Sequence, residues 1–157
     1  MSRKPLGILL ACLLLGLPAQ AAGQEELWRE VRQVIRDSYA FQRENLADPP
    51  EYVASDGSLE FWSSGGLMQF IPADAELLQY ESYNIYPKHI RVIMLADDLA
   101  VAHFYAEGSY QSASGPPVPN YLTRATQVFV KEDGKWRVRA SHFSPIQGGA
   151  GTDANAL

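Results

Sequence analysis

The chain has 157 residues, 46% of them hydrophobic and 20% charged, with a net charge of −5. That is enough to bury one core and too little for two, and the acidic balance excludes the dense basic patch that nucleic-acid phosphates require. Cys12 is the only cysteine, which excludes an internal disulfide.

Arg3-Lys4 is a short basic segment, Leu6 to Leu17 is an apolar run, and Ala19-Gln20-Ala21 is a small-x-small cleavage site. Residues 1–21 therefore read as a secretory signal peptide, and the mature protein is expected to be secreted or periplasmic. The apolar run is too short for a bilayer-spanning helix, which needs roughly 20 residues, and no later stretch comes close, so no membrane span is expected. Leu9-Leu10-Ala11-Cys12 also resembles a lipobox that would make Cys12 a lipidated first residue. The apolar run continues past it through Leu17, which favours processing at Ala21. Cleavage there removes Arg3, Lys4 and the only thiol, leaving about 136 residues with a charge of about −7.

From Glu25 to about Arg43, Leu27, Val31, Val34, Ile35 and Ser38 or Tyr39 recur at helical spacing, with Arg29, Glu30, Arg32, Arg36 and Asp37 on the other face. Asp48-Pro49-Pro50 stops this helix, because proline lacks the amide and disfavours helix before it. Ser58 to Ser63 alternates with aromatic enrichment and runs into Gly65-Gly66, a strand ended by a glycine turn. Pro72-Ala73-Asp74-Ala75-Glu76 carries the marks of a second helix start, running to about Tyr83. Ile90 to Ala96, the Asp97-Asp98 turn and Leu99 to Gln111 predict a hairpin. After the stiff Gly115-Pro116-Pro117-Val118-Pro119 loop, Tyr121 to Lys131 and Lys135 to Ser144 form a second hairpin, whose Asp133-Gly134 turn supplies positive φ angles. Residues 147–157, with Gly148-Gly149-Ala150-Gly151, predict a disordered tail. The expected fold class is α+β, one domain over residues 22–146: a curved antiparallel sheet wrapped around N-terminal helices, with room for a small-molecule pocket between the layers.

The Asp133-Gly134-Lys135-Trp136 turn, the following His142-x-Ser144-Pro145 and the Thr-rich strand Thr123-Arg124-Ala125-Thr126-Gln127 together resemble the nuclear transport factor two-like superfamily. The branch in view holds the polyketide-cyclase-like proteins and the association domain of calcium/calmodulin-dependent kinase II. The resemblance implies a cone-shaped, cystatin-like α+β barrel with one open end, often a homodimer through the convex face of its sheet. It implies no single activity, since the superfamily spans isomerases, cyclases, epoxide hydrolases, dehydratases and pure binders. Related association domains place an arginine in the pocket where this chain has Gln127, a departure that argues against an anionic ligand. The histidine of the last strand matches His142, which the resemblance makes a pocket-lining residue.

Strict alternation puts Trp136, Val138, Ala140 and His142 on one face of the last strand and Arg137, Arg139, Ser141 and Phe143 on the other. His142 is then a ligand-lining group or an acid/base, given its ordinary pKa near neutrality. His103, Tyr105 and Glu107 share one face of their strand, and Ala100, Ala102, Phe104 and Ala106 share the other. If the polar set lines the cavity, Glu107 can work with His142 or Tyr105; if it lies on the convex face, it is solvated or meets a dimer mate. His103 and Glu107 lie roughly 13 Å apart along the strand, too far to chelate one ion with or without His89 and His142, so neither metal nor cofactor is expected. The expected ligand-binding residues are Trp62, Tyr105, Gln127 and His142, in a lining that suits a small apolar or aromatic molecule. An enzyme of isomerase, cyclase or lyase type would use His142 or Glu107 to move a proton and Tyr105 to stabilise an oxyanion. A third reading is a dimeric association module with a vestigial cone.

Overall fold

The computed structural model describes residues 17–146, with side chains from Gly23 onward. The basic and most of the apolar parts of the expected leader, Cys12 and the expected tail at 147–157 lie outside the described residues. Helix α1 (Leu17–Asn45) is followed by strands β1 (Ser58–Phe61), β2 (Gln69–Ile71), β3 (Tyr80–Ala96), β4 (Leu99–Ser112), β5 (Val118–Glu132) and β6 (Lys135–Pro145). The strands form one open sheet in the order β2-β1-β6-β5-β4-β3. All pairings are antiparallel except β1 with β6, so the sheet is mixed.

α1 contains the Ala19-Gln20-Ala21 site, and cleavage there would shorten the helix without touching its buried stripe. The helix ends where Leu46 takes a left-handed φ of 54° and its amide bonds the Gln42 carbonyl, after which Pro49-Pro50 bars continuation. Val31, Ile35 and Tyr39 join Ala100, Ala102, Ala106 and Ala125 in one buried cluster, and the helix backbone runs closest to β3. Tyr39 meets Phe104 edge-on at 5.9 Å. Glu30 pins the helix to the last hairpin, accepting from Lys131 Nζ at 2.7 Å and Trp136 Nε1 at 2.8 Å.

The helix expected over Pro72–Tyr83 does not form, and α1 is the only helix among the described residues. Leu77 and Leu78 are exposed and Ala75 closes a turn onto Pro72. The next residues enter β3, which starts ten positions before the Ile90 expected from alternation. A proline followed by carboxylates specifies only a first turn; no apolar repeat follows it, and Tyr83 to Tyr86 instead gain a ladder with Glu107 to Tyr110. The last hairpin matches expectation, with Asp133 at φ 50° and Gly134 at φ 78°, the signs a two-residue type I′ turn needs.

A bulge at Arg139 changes the reading of β6. Phe129 faces Val138, but Val128 faces Ala140, so Arg139 is the extra residue. The Val138 amide donates to the Tyr52 carbonyl and the Val138 carbonyl accepts from the Ala54 amide, docking the 52–54 segment at the bulge. From there the alternation reverses: Trp136, Val138, Ser141 and Phe143 face the concave side, while Ala140 and His142 face outward.

Candidate functional site

On β1, Ser58 and Glu60 point inward and Leu59 and Phe61 outward; Glu60 is 6% exposed, against 39% and 45% for its two neighbours. Glu60 lies opposite Ser141 across the parallel β1–β6 pairing. Glu60 Oε1 accepts from Ser58 Oγ at 2.9 Å and from Ser141 Oγ at 3.5 Å. Gln127 Nε2 donates to Ser141 Oγ at 3.2 Å, and Tyr52 Oη donates to Gln127 Oε1 at 3.3 Å. A continuous polar seam from the 46–57 loop through β5 and β6 to β1 thus crosses the concave face, and buried polar groups tied together in this way hold one geometry. Burial pushes the Glu60 carboxyl above the ordinary carboxylate range; the two serine donors oppose the shift and the Asp48 charge adds to it.

Beyond the seam the concave side is walled by tyrosines from several elements. Tyr80 and Tyr83 pack at 4.7 Å, Tyr110 and Tyr121 meet edge-on at 5.4 Å, and Tyr39 of α1 lies 6.5 Å from Tyr83. Asp48 accepts from Tyr80 Oη at 2.7 Å and from Gln42 Nε2 at 2.8 Å. Burial, as the largest cause, raises the Tyr39, Tyr52, Tyr80, Tyr83 and Tyr110 hydroxyls above the ordinary phenol value, so each remains a neutral donor at physiological pH. Trp62 and Phe143 stack at 5.7 Å, half-buried at the rim, and Ser63 Oγ lies 3.4 Å from Tyr121 Oη. A shallow groove of about 580 Å³ lies at the edge of the sheet, lined by Glu107, Gly108, Asn120, Tyr121, Leu122 and Pro145, so it opens partly onto the convex face and does not reach the seam.

The expected site residues divide between the two faces. Gln127 is in the seam and Trp62 at the rim, its Nε1 donating to Gln69 Oε1 at 3.0 Å. Tyr105, Glu107 and His142 are on the convex face. Tyr105 is 43% exposed, Glu107 pairs with Lys88 at 3.6 Å, and His142 lies against the exposed Phe61 ring at 5.6 Å. β5 separates β4 from β6, which keeps Tyr105 and Glu107 about 10 Å or more from His142. The three do not converge. His103 Nδ1 meets Thr126 Oγ1 at 3.0 Å on the same outer face, and no group of three metal-ligating side chains gathers among the described residues.

Sequence reasoning passed over Glu60, Ser141, Tyr39 and Tyr52. Ser141 was hidden by the bulge, which no periodicity announces. Glu60 had a readable signal: in Ser58-Leu59-Glu60-Phe61, a strand that buries its polar residues and exposes its apolar ones has work on both faces.

No protein-family model matches this sequence, and no curated protein matches it. Solved structures do. The chain is similar to a candidate scytalone dehydratase from Novosphingobium aromaticivorans, with 11% identity and a TM-score of 0.64, over 83% of this chain and 99% of that one. It is similar to an uncharacterised protein with a cystatin-like fold from Caulobacter vibrioides, with 16% identity and a TM-score of 0.56, over 78% and 91%. A third similarity, with 18% identity and a TM-score of 0.52 over 75% and 86%, is to a candidate calcium/calmodulin-dependent protein kinase II association domain from Xanthomonas campestris. At these identities the likeness is one of fold. The chain is an α+β cone of the cystatin-like, nuclear transport factor two-like kind, with a helix laid in the hollow of a curved sheet.

Proposed function

We propose that this protein is an exported domain that holds a small, uncharged, ring-bearing molecule at the open end of its cone. The observation that carries this is the convergence of tyrosine hydroxyls from α1, the 46–57 loop, β3, β4 and β5 above a buried polar seam. The rings pack against the core, Gln127 and Asp48 take the Tyr52 and Tyr80 hydroxyls, and the hydroxyls without such a partner are the ones a ligand would satisfy. Trp62 and Phe143 at the rim supply flat apolar surface, and the lining offers donors without a cation, which favours neutral ligands over anions. Export rests on the charge and hydropathy of residues 1–21.

The fluorescent aromatic ketone prodan tests the reading. Its emission is expected to shift to the blue on binding. Trp62→Ala and Tyr121→Phe are each expected to weaken binding roughly tenfold, about 1.4 kcal/mol, while Phe61→Ser on the convex face leaves it unchanged. Binding that ignores both rim substitutions, or none at all, removes the proposal.

A second reading concerns assembly and is compatible with the first. Exposed apolar side chains stand at both edges of the sheet's convex face, Leu59, Phe61 and Phe70 on β1 and β2 and Ile93, Leu95 and Tyr105 on β3 and β4, and a partner laid across the face would cover both groups. We propose that this face forms a homodimer. Sedimentation equilibrium is expected to give a dimer that Tyr105→Asp shifts toward monomer; a wild-type monomer at high micromolar concentration excludes it.

A further inference from the structure

The carboxyl of Glu60 presents two unequal oxygens. Oε1 takes both serine hydroxyls and Oε2 takes neither, and Oε2 is not one of the buried polar atoms left without a partner, so it keeps contact with solvent at the site. The side chain is more than nine-tenths buried on the concave face, and no lysine, arginine or histidine forms an ion pair with it among the described residues. The groups facing it are Ser58 on its own strand, Ser141 and Gln127 across the sheet, Tyr52 from the 46–57 loop and the more distant Asp48 charge. Arg139, the nearest cation along β6, spends its Nη1 on the Gly57 carbonyl at 3.1 Å. A buried carboxylate with no cation is costly to keep ionised, and protonation converts it from an acceptor into a donor.

We infer that Glu60 is the recognition group of the cone: it takes up one proton from solvent as the ligand enters, and its Oε2–H donates to a neutral acceptor oxygen on the ligand, a ketone, ester or ether. This rests on the cone being the ligand site. The proton balance is one proton from the buffer for each ligand bound, with no bond made or broken in the ligand. The direction of pH dependence follows. The ligand excludes water from a carboxyl that burial already disfavours as an anion, so the complex holds the proton more tightly than the free protein. Affinity is therefore full at low pH and declines as the pH rises above the free carboxyl's titration.

Prodan binding across a pH series, with calorimetry in two buffers of different ionisation enthalpy, tests this. In the wild type the Kd is expected to rise by up to tenfold per pH unit on the alkaline side, with close to one proton taken up per prodan bound. Glu60→Gln, whose amide donates at every pH, is expected to bind with no pH slope and no proton uptake. Dimethylaminonaphthalene, which excludes the same water but offers no acceptor oxygen, is expected to bind the wild type more weakly than prodan at low pH and to show its slope over a narrower pH range. If prodan binds in a Trp62- and Tyr121-dependent manner but the wild type takes up no proton and follows no pH slope, the Glu60 inference is overturned while the cone remains the site. If the rim substitutions have no effect, the cone reading fails first and takes this inference with it. The wild-type proton count decides even if Glu60→Gln does not fold.

Discussion

Phe129→Ala is expected to cost about 3–5 kcal/mol, a large part of the stability of a domain this size. Phe129 is the largest fully buried side chain, with no solvent exposure. On β5 it lies between Ala100 of β4 and Val138 of β6, where alanine and valine cannot expand into the space a lost ring would leave. Its face also meets Tyr52 edge-on at 6.4 Å, and Tyr52 begins the polar seam by donating to Gln127. The substitution should therefore loosen the 46–57 loop and the ligand site along with the core. Urea unfolding followed by circular dichroism measures the loss. A cost below about 1 kcal/mol would mean that the sheet and loop do not pack against this ring as described.

Gly108→Ala is expected to be comparably damaging, at about 3 kcal/mol or more. Gly108 has φ 150°, and a methyl group there would collide with the Asn84 carbonyl oxygen and come within 2.9 Å of Ile85 Cα. Both obstacles are backbone in the adjacent strand, so they cannot rotate away as a side chain would. Relief requires β3 and β4 to part beside the β4–β5 irregularity between Gly108 and Tyr110, which would displace Tyr83, Tyr110 and Tyr121 together. Gly134→Ala is the control. It has φ 78° but nothing within 4 Å of the added carbon, so it should cost only about 1 kcal/mol. Thermal melts of the two variants should differ widely; equal melting temperatures would contradict the close β3–β4 approach.

The legibility of the fold followed the range of the interactions that made each element. The amphipathic face of α1 and the Asp133-Gly134 turn are local properties, one of spacing and one of positive φ, and both were readable residue by residue. The start of β3 was not, because Tyr80 to Tyr86 become a strand only through a ladder with β4 that lies more than twenty residues away. The helix expected at Pro72 failed for the same reason, since its start signal had no apolar repeat behind it. Of the residues expected to line the pocket, Gln127 lies in the polar seam and Trp62 at the rim, while Glu60, Ser141, Tyr39 and Tyr52 on the concave side carry no such expectation from the sequence. The assignments of His142, Tyr105 and Glu107 to an inner wall depended on knowing which parity of each strand faced inward.

By itself, the sequence determined the α+β class, the long amphipathic helix, the strands of the last hairpin and a histidine near its end, because each is encoded in short-range periodicity and turn chemistry. Only the tertiary structure decided which face of the sheet is the inside. One extra residue at Arg139, held by the backbone groups of Val138, turns His142 outward and Ser141 inward, and the pairing of β1 beside β6 sets Glu60 opposite that serine. A period of two records alternation but not its origin, and the origin is supplied by contacts between segments far apart in the chain.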